Sequence, residues 1–196
     1  MSISVEHDKR RAEILENALD VFVEAGYADT TFQKIADRCG ITRTILYLYF
    51  KNKREIFLYS IKRFTEKLET EIKICAATKE PSYAILQKLG DLVLSRCIEQ
   101  AKLLSVIVDY LEYSRKSGGE TAIKVKRRTI RMRHIISGLV ISGQKKGELK
   151  KSSVGAVSDL FYGIVEAAIF RLAVLGQDKL EGLETAMQLF IDGLKA

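Results

Sequence analysis

Proline is almost absent from this 196-residue chain, with Pro81 the single instance. Helix interiors are therefore uninterrupted, and abundant Ala, Leu, Ile, Glu, Lys and Arg predict a mostly helical protein. Histidine is as scarce, limited to His7 and His134. No glycine-rich phosphate loop and no nucleophile–base set accompanies them, which argues against an enzyme and calls for no cofactor. The three cysteines, Cys39, Cys75 and Cys97, lack metal-ligand spacing and leave an odd thiol, so a reduced, cytoplasmic setting is expected and no metal. No apolar run is both long and charge-free enough to span a bilayer, and the first residues lack the apolar region of a signal peptide.

What is present is a helical pattern with clear punctuation. After a loose arm over residues 1–7, Ile14, Leu15, Ala18, Leu19, Phe22 and Ala25 recur at helical spacing, and Gly26 ends the run. Thr30 or Thr31 can cap a short helix reaching about Arg38. Thr42 can cap a third, and Asn52 with Glu55 can open a long fourth. Breaks follow at 78–82 and 117–119. A helix is expected over about 120–145, a strongly apolar one from Ser152 or Ser153 to about Leu175, and a last one opened by Asp178 with Glu181. The expectation is an all-α chain of about nine helices.

Between Thr30 and Lys53, two short helices flank a glycine turn. Ala36 is small enough for close helix approach, Gly40 can take a positive φ, and Leu46 falls where the second helix needs a buried anchor. Ile35, Ile41 and Ile45 would complete the apolar face, with Phe50 in the core. This is the layout of a helix-turn-helix, whose second helix enters the DNA major groove. Thr31 and Thr42, at helix N-termini, offer hydroxyls and backbone N–H groups to phosphate. Arg43 and Thr44 lie in the first turn of the reading helix, where base edges are met, and Gln33 is a lesser candidate on the helix before it.

The residues Ile14-Leu-Glu-Asn-Ala18, Phe22, Glu24-Ala-Gly-Tyr27, Thr30-Thr31, Ile35-Ala36, Gly40-Ile-Thr42, Leu46-Tyr47 and Phe50-Lys-Asn-Lys53 resemble the N-terminal domain of the TetR family of bacterial transcriptional regulators. Tyr49 stands where that family often has histidine, Thr44 where glycine is common, and Cys39 at a frequent alanine position. Beyond residue 57 the resemblance reduces to helix number, helix length and the step Gly147-Glu148-Leu149. It implies a helix-turn-helix domain over 7–53 and a regulatory and dimerisation domain over 54–196. It also implies Tyr47, Tyr49 and Lys53 as phosphate contacts. The partners implied are a second copy, held through the last two helices, a pseudo-palindromic DNA operator, and a small-molecule effector. An architectural or cell-division DNA-binding protein with a protein partner is the alternative.

Charge does not single out the reading head. Lys and Arg exceed Asp and Glu by +1 over residues 1–54 and by +10 over residues 115–151. The stripe Lys124, Arg127, Arg128 and Arg131 reads as the solvent face of its helix. Phe64, Tyr110, Tyr113, Phe161 and Glu166 mix aromatic walls with polar groups and are the candidates for an effector pocket.

Overall fold

The computed structural model describes the backbone of residues 2–116 and 121–196, and the side chains of residues 5–115 and 133–196. The order of elements is α1 (Ser2–Asp29), α2 (Phe32–Arg38), α3 (Arg43–Tyr47), α4 (Lys53–Ala76), α5 (Ser82–Glu99), α6 (Ala101–Lys116), α7 (Thr121–Lys146), α8 (Val154–Ala173) and α9 (Glu181–Leu194). Among the described residues there is no strand, only one isolated bridge pairing Leu149 with Lys195. None of these helices is long and apolar enough to cross a membrane.

Local chemistry accounts for most helix starts. Thr31, Thr42, Asn52 and Ser153 are N-caps whose side-chain oxygens accept from the backbone N–H three residues on. Glu148 reaches across the fold and accepts from the Ser82 N–H at 2.7 Å, which lowers its pKa from the ordinary carboxylate value and anchors the start of α5. Two expectations fail here. The structure carries α1 back to Ser2 instead of leaving an arm at 1–7. Asp178 caps nothing: α9 opens behind Leu180, a fully buried residue without a side-chain cap bond, so apolar anchoring sets that end.

Two buried clusters organise the packing. The larger lies among α4 to α9 and contains Leu86, Leu89, Leu94, Phe161, Leu180 and Met187. The smaller builds the head from Ile14, Ala18, Phe22, Ile35, Ala36, Leu46 and Phe50. That head core also takes Ile56 and Phe57 from α4, and Val106 and Tyr110 from α6. The head is thus packed directly onto the body, not tethered to it.

Gly26 makes the joint possible. Its φ of 73° and ψ of 161° lie in a region essentially open to glycine alone, and there the chain leaves the main run of α1. Replacing Gly26 with alanine is expected to cost about 1–3 kcal/mol, the usual cost of such backbone strain. The added Cβ would itself fit, its nearest neighbour being the Asp109 carboxylate at 3.6 Å. A lower urea midpoint at unchanged slope would report the loss.

Candidate nucleic-acid interface

The helix-turn-helix is assembled as its spacing demands. Ala36 and Leu46 have no exposed surface, and Gly40 turns the chain with φ 64°. Ile35 and Phe50 are buried with them, whereas Ile45 is 41% exposed and so does not belong to the apolar face expected of it. With only five residues in α3, its single buried position is Leu46. The remaining side chains of α3 are exposed.

Of the expected contact residues, Thr31, Gln33, Thr42, Arg43, Thr44 and Tyr47 are exposed. Thr31 and Thr42 accept from Lys34 N and Ile45 N at 3.1 and 3.2 Å, so each hydroxyl keeps its hydrogen for an outside acceptor. Arg43 is exposed, and its guanidinium donates to the Tyr47 hydroxyl at 3.0 Å. The Tyr47 ring leans on Phe32 at 4.8 Å, which fixes where its hydroxyl lies. Thr44 is exposed beside them. Gln33 is also exposed, but its amide donates to Asp37 at 2.6 Å, an internal partner that base reading would have to replace. Tyr49 is half-buried and stacks on His7 from α1 at 4.8 Å. One neighbour was not anticipated: Leu48 is 74% exposed next to Tyr47, an apolar group suited to a thymine methyl.

Lys53 is placed differently from a free phosphate donor. Its ammonium donates to the carbonyls of Tyr27, Ala28 and Thr30 at 2.7, 2.8 and 2.7 Å, and lies 4.8 Å from the Tyr27 ring centroid. All three of its protons therefore bind carbonyls at the C-terminal end of α1. Desolvation lowers its pKa from the ordinary lysine value, against the opposing pull of Asp29. On the other side of the same turn, the Tyr27 N–H donates to the Asp109 carboxylate at 2.6 Å. The Tyr27 ring touches Phe22, Phe57, Tyr110 and Tyr113. Burial raises its phenol to about 12, which keeps it neutral.

The five candidate pocket residues do not converge. Tyr110 and Tyr113 belong to this aromatic joint, Phe161 is buried in the large core, and Glu166 is exposed on α8. Phe64 alone of the five lines the cleft between α1, α4 and α6. The reason is topological: helical periodicity says which face is buried, not which partner it meets. Arg11 lies over the rings of Phe50 and Tyr59 at 4.7 and 4.3 Å, and His134 is exposed. The side chains of the stripe at 124, 127, 128 and 131 lie outside the described residues. No three-residue metal-binding group occurs among those described, and Cys75 is only half-buried.

This geometry, a capped and exposed reading helix on a buried three-helix head, defines a DNA-binding helix-turn-helix protein. The comparisons agree. Residues 14–59 match the family described as bacterial regulatory proteins, tetR family. Over 194 residues the chain is 26% identical to the fatty acid metabolism regulator protein of Bacillus subtilis, covering 93% of this chain and 94% of that one. It is also 26% identical over 122 residues to the probable acrEF/envCD operon repressor of Escherichia coli, covering 60% of this chain and 56% of that one. A TetR transcription regulator from Haloarcula marismortui shares the fold, with a TM-score of 0.78 at 20% identity over 96% of this chain and all of the other. Residues 14–59 thus match the DNA-binding domain of the tetR family of bacterial regulatory proteins, and the whole chain shares the fold of a TetR regulator.

Because Lys53 joins the end of α1 to the start of α4, Lys53→Ala is expected to lower the stability of the head. Three charge-assisted bonds are lost and three carbonyls lose their partner, a cost of about 1–3 kcal/mol. Urea unfolding followed by circular dichroism measures it, and an unchanged midpoint would show the contact to be dispensable.

Proposed function

We propose that the protein is a repressor that binds a pseudo-palindromic operator as a homodimer and releases it when a small molecule occupies the regulatory domain. The observation that carries this reading is that Thr31, Thr42, Arg43, Thr44 and Tyr47 are all exposed, with both threonine oxygens fixed as helix caps and Arg43 bonded to Tyr47. Hydroxyls of Thr31, Thr42, Tyr47 and Tyr49 would reach phosphates and set register. Lys53 would add its charge there. Arg43 and Thr44 would read base edges, with Gln33 at the margin.

Dimerisation is supported by the outer face of α8. Leu160, Gly163, Ala167, Phe170 and Val174 follow one another at 3- and 4-residue steps. Leu160, Phe170 and Val174 are 53%, 53% and 50% exposed, and a Cβ added at Gly163 would meet nothing within 4 Å. On α9, Leu189 is 67% exposed. Apolar rows with small gaps of this kind suit an isologous helix pairing. Two heads would then meet successive major grooves, ~34–36 Å apart. The full-length similarity to a fatty acid metabolism regulator makes genes of fatty acid metabolism the first place to look for its operators.

Two measurements test the proposal. Sedimentation should show a dimer at micromolar concentration and a monomer for Phe170→Glu; a monomeric wild type would sink the two-headed reading. Arg43→Ala should relax sequence preference by about 1–3 kcal/mol at one base pair per half-site in a randomised-operator selection. A variant that ranks operators as the wild type does would remove Arg43 from base reading.

A further inference from the structure

Where α1, α4 and the start of α6 meet, the surface opens into a cleft of about 430 Å³. That lies within the roughly 300–1,000 Å³ of small-molecule sites. Its apolar wall comes from all three helices: Leu15 and Leu19 from α1, Phe64 from α4 and Leu103 from α6. Five charged side chains rim it, and they do not cancel. Glu99 is held by Arg96, and Lys102 by Asp20 at 2.9 Å. Arg63 and Lys67 remain, one turn apart on α4 with Phe64 beside Arg63, opposed by Glu16 alone. Arg63 forms no ion pair among the described residues. The carboxylate that feels Lys67, Glu71, is already engaged by two hydrogen bonds from Arg96, at 2.8 and 2.9 Å.

An apolar wall with two uncommitted cations at one edge selects for a particular chemistry. Hydrocarbon would leave water against Leu15, Leu19, Phe64 and Leu103, while an acid group would meet Arg63 and Lys67. We propose that this cleft is a binding site for an amphipathic anion, a hydrocarbon ending in one acid group. Its position gives occupancy a mechanical consequence. The cleft is bounded by the head's own α1 and by the body helices against which α1 packs, so a bound molecule touches both sides of the joint. A ligand that fits one relative placement of head and body better than another shifts the population toward it. This effector role rests on the repressor reading above.

Calorimetric titration of the full chain with dodecanoate, kept below its micelle concentration, and with uncharged dodecanol tests the site. The wild type should bind one dodecanoate per chain. The surface pair Arg63→Ala/Lys67→Ala should weaken dodecanoate by about tenfold or more while leaving dodecanol unchanged. Leu19→Trp, which fills the cleft, should exclude both. An equal affinity of the paired variant and the wild type for dodecanoate would overturn the site, as would no binding to the wild type. Operator retention, measured in parallel, separates the two readings. Release by dodecanoate from the wild type but not from the paired variant supports the cleft as the effector site. Equal release from both places the effector elsewhere and leaves the repressor reading intact. Cleft binding with operator retained keeps the site and removes its effector role.

Discussion

The turn that follows α1 is the constraint on which the rest of the molecule depends. A helix end leaves backbone groups without intrahelical partners, and here they are claimed from two directions. Lys53, opening α4, binds the carbonyls of Tyr27, Ala28 and Thr30, while Asp109 on α6 holds the Tyr27 N–H. Only the backbone of Gly26 allows the chain to present these groups in that way. The same few residues therefore join the first helix of the head to the long helix behind it and to α6 of the body. The Tyr27 ring, packed among Phe57, Tyr110 and Tyr113, turns the polar junction into a close-packed one. Packing this close leaves little room for small adjustments at the joint.

On that footing the reading surface can be small. The head needs only Leu46 buried on α3, because Ile35, Ala36 and Phe50 surround it and the caps at Thr31 and Thr42 satisfy the helix starts. The freed positions carry Arg43, Thr44 and Tyr47, with Tyr47 steadied by Phe32 and in turn accepting from Arg43. Placement of donors matters more here than bulk charge. The head has a net excess of only +1, and the basic excess lies in residues 115–151. The phosphate contacts proposed for Thr31 and Thr42 would depend on geometry above all, as contacts from capping hydroxyls and helix N-termini do.

Legibility in the sequence followed the range of the interaction. The helix-turn-helix was readable because Ala36, Gly40 and Leu46 act within one short segment, and a glycine that must adopt positive φ announces itself. Caps at Thr42 and Asn52 are readable for the same reason, each acceptor lying three residues from its donor, whereas the sequence leaves Ser152 and Ser153 open and the structure selects Ser153. The end of α9 was misjudged because Leu180 is anchored by the core, not by a neighbour in sequence. Ile45 was misjudged because a five-residue helix buries one position, so an apolar residue on it need not face inward. The five pocket candidates share only a residue type, and type does not say which helices meet.

By itself, the sequence determined the helical class, the order and approximate ends of the helices and the turn of the helix-turn-helix. These follow from periodicity, capping and glycine conformation, all short-range. Only the tertiary structure decided that Lys53 is a clamp on the end of α1, that Asp109 completes it from 82 residues away, and that Tyr110 and Tyr113 serve the joint instead of a pocket. It also decided that Arg63, Lys67 and Phe64 share a cleft with α1. Each of these is a contact between distant segments, set by how helices pack, and a linear pattern of apolar and charged residues leaves that packing open.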